Sequence, residues 1–289
     1  MRRGAIGAWL ALAGFVPPAL AADLRIVAAE NFYGDVAAQI AGPAAGVSSI
    51  LSNPDQDPHL FEASPSTARA LANARIVIAN GAGYDPWMQA LLGASPAPGR
   101  RVIVVADLVH RQAGDNPHLW YDPATMPAAA TAIAAALAEA DPARKSEYDG
   151  RLQTFLHSLQ PLTAEIAALR RRFAGTPVAA TEPVFGYMAA AIGLATREEN
   201  FQRAVMNDTE PAAGDIAAFE SDLRTHAVRL LIYNRQAATG AAGRMLQLAQ
   251  RAGVPVVGVS ETEPAGQSYQ AWMADQLQQV DRALSRPAP

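Results

Sequence analysis

The sequence predicts an α/β protein of two similar lobes, each a mostly parallel sheet flanked by helices, joined by one long backbone helix. Three observations predict it. Short apolar runs alternate with alanine-rich helical patterns along the whole chain, each half of the chain offers four such runs, and the clearest helical stripe lies between the halves. Strands alternating with helices imply parallel sheets covered on both faces. A chain of 289 residues, half of them apolar, can bury the core that two lobes need.

Residues 1–22 read as a secretory signal peptide. Arg2 and Arg3 form its basic end, Ala5 to Val16 its apolar stretch, and Ala19-Leu20-Ala21 an Ala-x-Ala cleavage site. The apolar run is short for a membrane span. The chain has no cysteine, so there is none at the cleavage site to be acylated. The expectation is a soluble periplasmic protein, neither lipid-anchored nor stapled by disulfides. The first lobe, residues 23–140, should contain strands at 24–28, 47–51, 75–79 and 102–106, with helices at 64–74 and 127–140 among those between and after them. The second lobe, residues 175–289, should contain strands at 177–180, near Leu194, at 228–233 and at 255–259, with a helix at 240–252.

The linking segment, residues 141–174, carries the stripe. Tyr148, Leu152, Phe155, Leu159, Leu162, Ile166, Leu169 and Phe173 are spaced alternately by four and three, which places them on one face of a helix. At ~1.5 Å per residue that face runs roughly 39 Å, and Pro161 should kink or split it. Asp141-Pro142 starts the segment, and Gly175 with Pro177 ends it. Packed against both lobes, the stripe serves a monomer; the competing arrangement is a coiled-coil dimer seam.

The candidate chemistry begins with a repeated tetrapeptide. Pro58-His59-Leu60-Phe61 and Pro117-His118-Leu119-Trp120 each follow a short polar residue, Asp57 or Asn116. Two of the five histidines thus share one local context, which suggests two loops built alike to present an imidazole, the commonest metal ligand among side chains. Open α/β sheets place their sites beyond the C-terminal ends of the strands. His59 and His118 follow predicted strands of the first lobe, and Glu182 and Glu261 follow predicted strands of the second. With no cysteine, these make a His₂Glu₂ set suited to zinc, manganese or iron. Two bland readings compete: Glu182 before Pro183 could be a helix-capping carboxylate, and Glu263 competes with Glu261. His110, His157 and His226 read as structural or solvated.

Other classes find no support. A net charge of −4 and a pI near 5.7 argue against a nucleic-acid partner. Lys145, the only lysine, follows Arg144 and so belongs to no phosphate-binding loop; no dinucleotide fingerprint follows a predicted strand, and no His-Glu-x-x-His helix occurs.

Asp57-Pro58-His59-Leu60-Phe61-Glu62, Asn80-Gly81, Asn116-Pro117-His118-Leu119-Trp120 and Phe185-Gly186-Tyr187 occur in that order. This set resembles the zinc/manganese solute-binding proteins of bacterial ABC importers, the ZnuA/TroA-like family, across essentially the whole mature chain. The resemblance implies two α/β lobes joined by one long helix, one divalent metal ion (Zn²⁺ or Mn²⁺) held between them, and delivery to a membrane permease. It carries ligand roles to His59 and His118. Glu182 falls where zinc-type members usually have His and manganese-type members Glu, and Glu261 where Asp is usual. The His-rich loop frequent in zinc-specific members is absent before His118. A carboxylate can bind through one oxygen or both, so two of them allow coordination above four, which suits manganese. Binding rather than catalysis is expected; the alternatives are a metal-dependent periplasmic hydrolase, with Glu62 or Glu263 as general base, and a metal-independent adhesin.

Overall fold

Two four-stranded parallel sheets organise the molecule, and their C-terminal edges carry the groups of interest. The computed structural model describes residues 24–53, 61, 63–238 and 240–287. The first lobe runs β1 (Leu24–Glu30), α1 (Asn31–Ala41), β2 (Ala45–Leu51), α2 (Pro65–Ala72), β3 (Ile76–Ala79), α3 (Pro86–Ala94), β4 (Arg101–Val104), α4 (Val105–Leu108) and α5 (Thr125–Ala140). Two helices follow, α6 (Lys145–Ser158) and α7 (Gln160–Phe173). The second lobe runs β5 (Pro177–Ala180), α8 (Gly186–Ile192), β6 (Ala195–Arg197), α9 (Glu199–Met206), α10 (Ala213–Arg224), β7 (Leu231–Asn234), α11 (Gly240–Ala252), β8 (Val256–Val259) and α12 (Tyr269–Leu284).

The sheet orders are β2-β1-β3-β4 and β6-β5-β7-β8, with every pairing parallel. The lobes therefore repeat one topology. In each, the chain leaves its first strand to one side and returns on the other, opening a crevice at the C-terminal ends of the two middle strands. The central strands are apolar because both faces are covered: Ile76, Val77, Ile78 and Ala79 of β3 are all buried. All eight expected strands occur, with shifted ends. The run at 102–106 stops being a strand after Val104, where α4 begins, and the run at 228–233 becomes β7 only at Leu231.

The linking helix is split, not merely bent. Pro161 has no N–H to continue the ladder, and the Leu159 N–H bonds back to the Leu156 carbonyl at 3.3 Å, a tightened last turn of α6. The start also differs slightly: Pro142–Arg144 form a 3-10 turn before the α-helix begins at Lys145. The stripe does what its spacing requires, with Tyr148, Phe155, Leu159, Leu162, Ile166 and Leu169 buried. α6 packs on α1 and α5 of the first lobe, α7 on α8 and α12 of the second.

One hydrophobic core runs through both lobes. At its centre Phe32, Trp120, Tyr121, Trp272 and Phe185 stack in a chain of ring contacts from α1 to α8 and α12. α12 is held at its start by Ser268, whose hydroxyl accepts from the Ala271 N–H at 3.3 Å. Ser268→Ala is expected to cost about 1 kcal/mol, the usual loss for an N-cap, read as a lowered midpoint in urea denaturation; an unchanged midpoint would mean that packing alone holds this helix end. Among the described residues, no helix is long and apolar enough to cross a membrane. The expected signal peptide, residues 1–22, lies outside the described residues.

Candidate metal centre

His118 is fully buried, and its loop explains the polar residue before Pro-His. Asn116 Oδ1 accepts from the His118 backbone N–H at 3.1 Å and pairs with His118 Nδ1 at 2.6 Å. The first contact is an Asx turn. The second fixes which nitrogen donates to Asn116, since an amide oxygen only accepts: Nδ1 carries a proton there, and Nε2 is turned the other way. That Nε2 is buried, makes no hydrogen bond among the described residues, and faces Glu261 Oε2 across 3.3 Å. The imidazole packs edge-on against Trp120 and Tyr84, with ring centroids 5.3 and 6.0 Å away. Removing it therefore disturbs packing as well as chemistry, more than a loop histidine suggests.

Glu182 follows β5 and Glu261 follows β8, as the strand-end rule predicts, and both side chains are buried. Glu182 sits at the cap position of a 3-10 turn, but its carboxylate makes no capping bond. Instead both carboxylates accept from one nitrogen: Asn234 Nδ2 donates to Glu182 Oε2 at 2.7 Å and to Glu261 Oε1 at 2.6 Å. Asn234 ends β7, across the crevice from the end of β5. Its Oδ1 accepts from the Gln236 N–H at 3.0 Å, and Gln236 Oε1 accepts from the Glu261 N–H at 2.6 Å. Asn80, just after β3, holds the corresponding position in the first lobe. Its Nδ2 donates to the Pro117 carbonyl at 2.9 Å, directly before His118.

Glu263 turns elsewhere. Its backbone pairs twice with Asn31 of the first lobe, through Asn31 Nδ2 to the Glu263 carbonyl at 2.7 Å and the Glu263 N–H to Asn31 Oδ1 at 3.1 Å. Burial, and then the nearby Asp35, push its carboxyl up to about 9, so it holds a proton at neutral pH. Glu30, at the end of β1, is a second buried acid. Burial first and Asp85 second raise it well above the usual range, and neither oxygen has a hydrogen-bond partner among the described residues. His110, His157 and His226 are all exposed. His59, with Glu62, lies outside the described residues, and among those described no group of three or more His, Asp or Glu side chains forms a metal-holding cluster.

The lobes are tied on both sides of these groups. Asn116 Nδ2 donates to the Pro183 carbonyl at 2.7 Å, and Tyr187 Oη to the Asn116 carbonyl at 2.7 Å. Tyr121 Oη donates to the Ser260 carbonyl at 2.9 Å, and Tyr269 Oη to the Trp120 carbonyl at 2.8 Å. Outside the Asn116–Pro183 bridge, the cleft holds a cavity of about 1010 Å³, lined in part by Gly83, Pro117, Pro183, Gly186 and Arg203. Sequence reasoning missed Asn234, although the signal existed: it directly follows the apolar run at 228–233, the same position relative to a strand that singled out Glu182 and Glu261.

Known proteins resemble this chain in sequence and fold. A relative from Thermotoga maritima is 27% identical over 172 residues, 58% of this chain and 61% of that protein. The manganese-binding lipoprotein MntA of Halalkalibacterium halodurans is 30% identical over 142 residues, 48% of this chain and 47% of MntA. The chain thus spans between about half and three-fifths of these relatives. Among solved structures, the periplasmic zinc-binding protein TroA from Treponema pallidum superposes with a TM-score of 0.76 at 18% identity, covering 92% of this chain and all of that one, a likeness of fold. The sequence profile described as zinc-uptake complex component A, periplasmic, matches residues 26–283, nearly the whole described chain, and the protein belongs to that family.

Proposed function

We propose that the protein is the periplasmic receptor of an ABC importer. It captures one divalent transition metal ion, Zn²⁺ or Mn²⁺, between its lobes and passes it to the membrane permease. His59, His118, Glu182 and Glu261 are the ligands. The observation that carries this reading is the buried pairing of His118 Nε2 with Glu261 Oε2 at 3.3 Å, made by side chains from opposite lobes. Burying a carboxylate is costly unless a positive charge, a metal ion or a proton shared with the imidazole, neutralises it. The second carboxylate, Glu182, is tied to the first through Asn234. His118 has the features of a metal-binding histidine: one ring nitrogen anchored by hydrogen bond, the other offered. Glu261 is preferred to Glu263 because a carboxyl pushed up to about 9 keeps its proton at neutral pH, and a ligand must be deprotonated.

Binding rather than hydrolysis follows from the same groups. A hydrolase needs a coordination position left open for water and a base nearby. Four protein ligands would close the shell, and Glu263, one of the two bases the sequence offers, has its carboxyl pushed up to about 9, so it holds its proton at neutral pH. The shared core and the interlobe hydrogen bonds limit opening to small movements. A monomer suffices, because the apolar stripe is spent inside the chain.

Protein stripped with a chelator and titrated with zinc is expected to take up one equivalent per chain. A stripped protein that takes up neither zinc nor manganese overturns the receptor reading and favours an adhesin. Glu182→His, which replaces a hard carboxylate by a neutral imidazole, is expected to raise the ratio of zinc to manganese affinity by about tenfold, ~1.4 kcal/mol. Competition titrations with both metals measure it, and an unchanged ratio removes Glu182 from the ligand set.

A further inference from the structure

We infer that Asn234 sets the metal preference of the site by allowing each of its two carboxylates only one oxygen for the ion. The inference rests on the receptor reading above, which assigns no role to this residue.

An Asn amide has two N–H donors, and both are used. One goes to Glu182 Oε2 at 2.7 Å, the other to Glu261 Oε1 at 2.6 Å. The orientation is determined by chemistry. Asn234 Oδ1 accepts from the Gln236 backbone N–H, and flipping the amide would turn that oxygen towards two carboxylates while an NH₂ met an N–H. The backbone is pinned as well, by the Asn234 N–H donating to Thr181 Oγ1 at 3.2 Å, and the residue is buried at the end of a central strand. Asn234 is therefore a fixed bracket, not a swinging side chain.

The bracket has a consequence for coordination. A carboxylate can bind a cation through both oxygens, which adds ligands without adding residues. Here one oxygen of each glutamate already accepts a hydrogen bond from the fixed amide, which draws that oxygen towards Asn234 and opposes the turn of the carboxylate that would bring both oxygens to the ion. In Glu261 the remaining oxygen is Oε2, the atom that faces His118 Nε2 at 3.3 Å. With zinc–nitrogen and zinc–oxygen bonds of roughly 2.0–2.1 Å, these two atoms would be close enough to share one ion. With the ligand set proposed above, two imidazoles and two single carboxylate oxygens would make a four-coordinate shell, the arrangement zinc favours. Manganese favours more oxygen ligands, and the freedom that two glutamates lend it on paper is withdrawn by Asn234. The residue never touches the metal and acts through Glu182 and Glu261, as a positioning residue.

The test uses the mature protein, stripped of metal and titrated with Zn²⁺ and with Mn²⁺ against a competing chelator. Asn234→Leu keeps the volume and removes both donors; Asn234→Ala, in which water can replace a donor, carries the test alone if the leucine variant does not fold. The zinc-to-manganese affinity ratio is expected to fall by about tenfold in Asn234→Leu and by less in Asn234→Ala, within the range seen when partners of metal ligands are removed. X-ray absorption of the manganese-loaded variant should show more oxygen neighbours than the wild type. If both affinities fall in parallel, with the ratio and the oxygen count unchanged, Asn234 only supports the fold and the inference is overturned. A wild-type protein that binds neither metal is a separate result, which removes the receptor reading and this inference with it.

Discussion

His118→Ala is expected to abolish tight metal binding, and His59→Ala to do the same. Structural zinc sites bind with roughly 10–16 kcal/mol shared over four ligands, so one ligand is worth on the order of 3 kcal/mol, a loss of about a hundredfold or more. The loss at His118 should fall at the upper end. Its imidazole is oriented before the metal arrives, by Asn116 at 2.6 Å and by the rings of Trp120 and Tyr84. Its removal also leaves the carboxylate of Glu261 without the group it faces. Competition with a chromophoric chelator measures the effect. Because His118 is fully buried, the variant's apo stability must be measured beside it, and a loss of about 1–3 kcal/mol from the vacated volume is expected. A variant that still holds one equivalent of zinc at wild-type affinity would sink the assignment.

Trp120→Ala is expected to give the largest loss of stability of any single change near the site, ~3–5 kcal/mol. Trp120 is fully buried, and its ring meets Phe32 at 4.6 Å, Tyr84 at 4.9 Å and His118 at 5.3 Å between centroids. Its carbonyl accepts from Tyr269 Oη across the lobes at 2.8 Å. Against a typical total of about 5–15 kcal/mol, that loss is a large share. Urea denaturation followed by far-ultraviolet circular dichroism reads it. Metal affinity should fall together with stability, since the indole is the surface against which His118 is set. A loss below about 1 kcal/mol would mean that the cavity collapses without penalty and that the site is held by hydrogen bonds alone.

Much of the fold is legible in local pattern. The central strands appear because buried strands in parallel sheets are short and apolar, and the helical stripe appears because a face of one helix must repeat near 3.6 residues. The ends are less legible. The apolar run at 102–106 continues past β4 because Val105 and Ala106 are also buried, in the first turn of α4. An apolar run records burial, and burial is common to strand and helix. The split at Pro161 is legible as a break, but not whether it bends the helix or divides it, because that depends on what Leu159 packs against.

The site divides in the same way. The sequence by itself singled out the candidate loops, since a Pro-His repeat after a short polar residue is a local device: the Asx turn at Asn116 needs only its own neighbours. It also determined that Glu182 and Glu261 follow strands, because strand ends are encoded within a few residues. Tertiary structure alone decided what faces what. Glu261 and Glu263 stand two residues apart in one loop, and only packing separates them: the carboxylate of the first turns towards His118, while the backbone of the second is held by Asn31 of the other lobe, 232 positions away in sequence. Asn234 is an ordinary polar residue after a strand until β5, β7 and β8 are brought side by side, when one amide meets two carboxylates from separate loops. The physical reason is range. Turns and periodicities are satisfied within a few residues and leave their mark there, whereas a hydrogen bond between distant segments is specified by the whole packing that joins them.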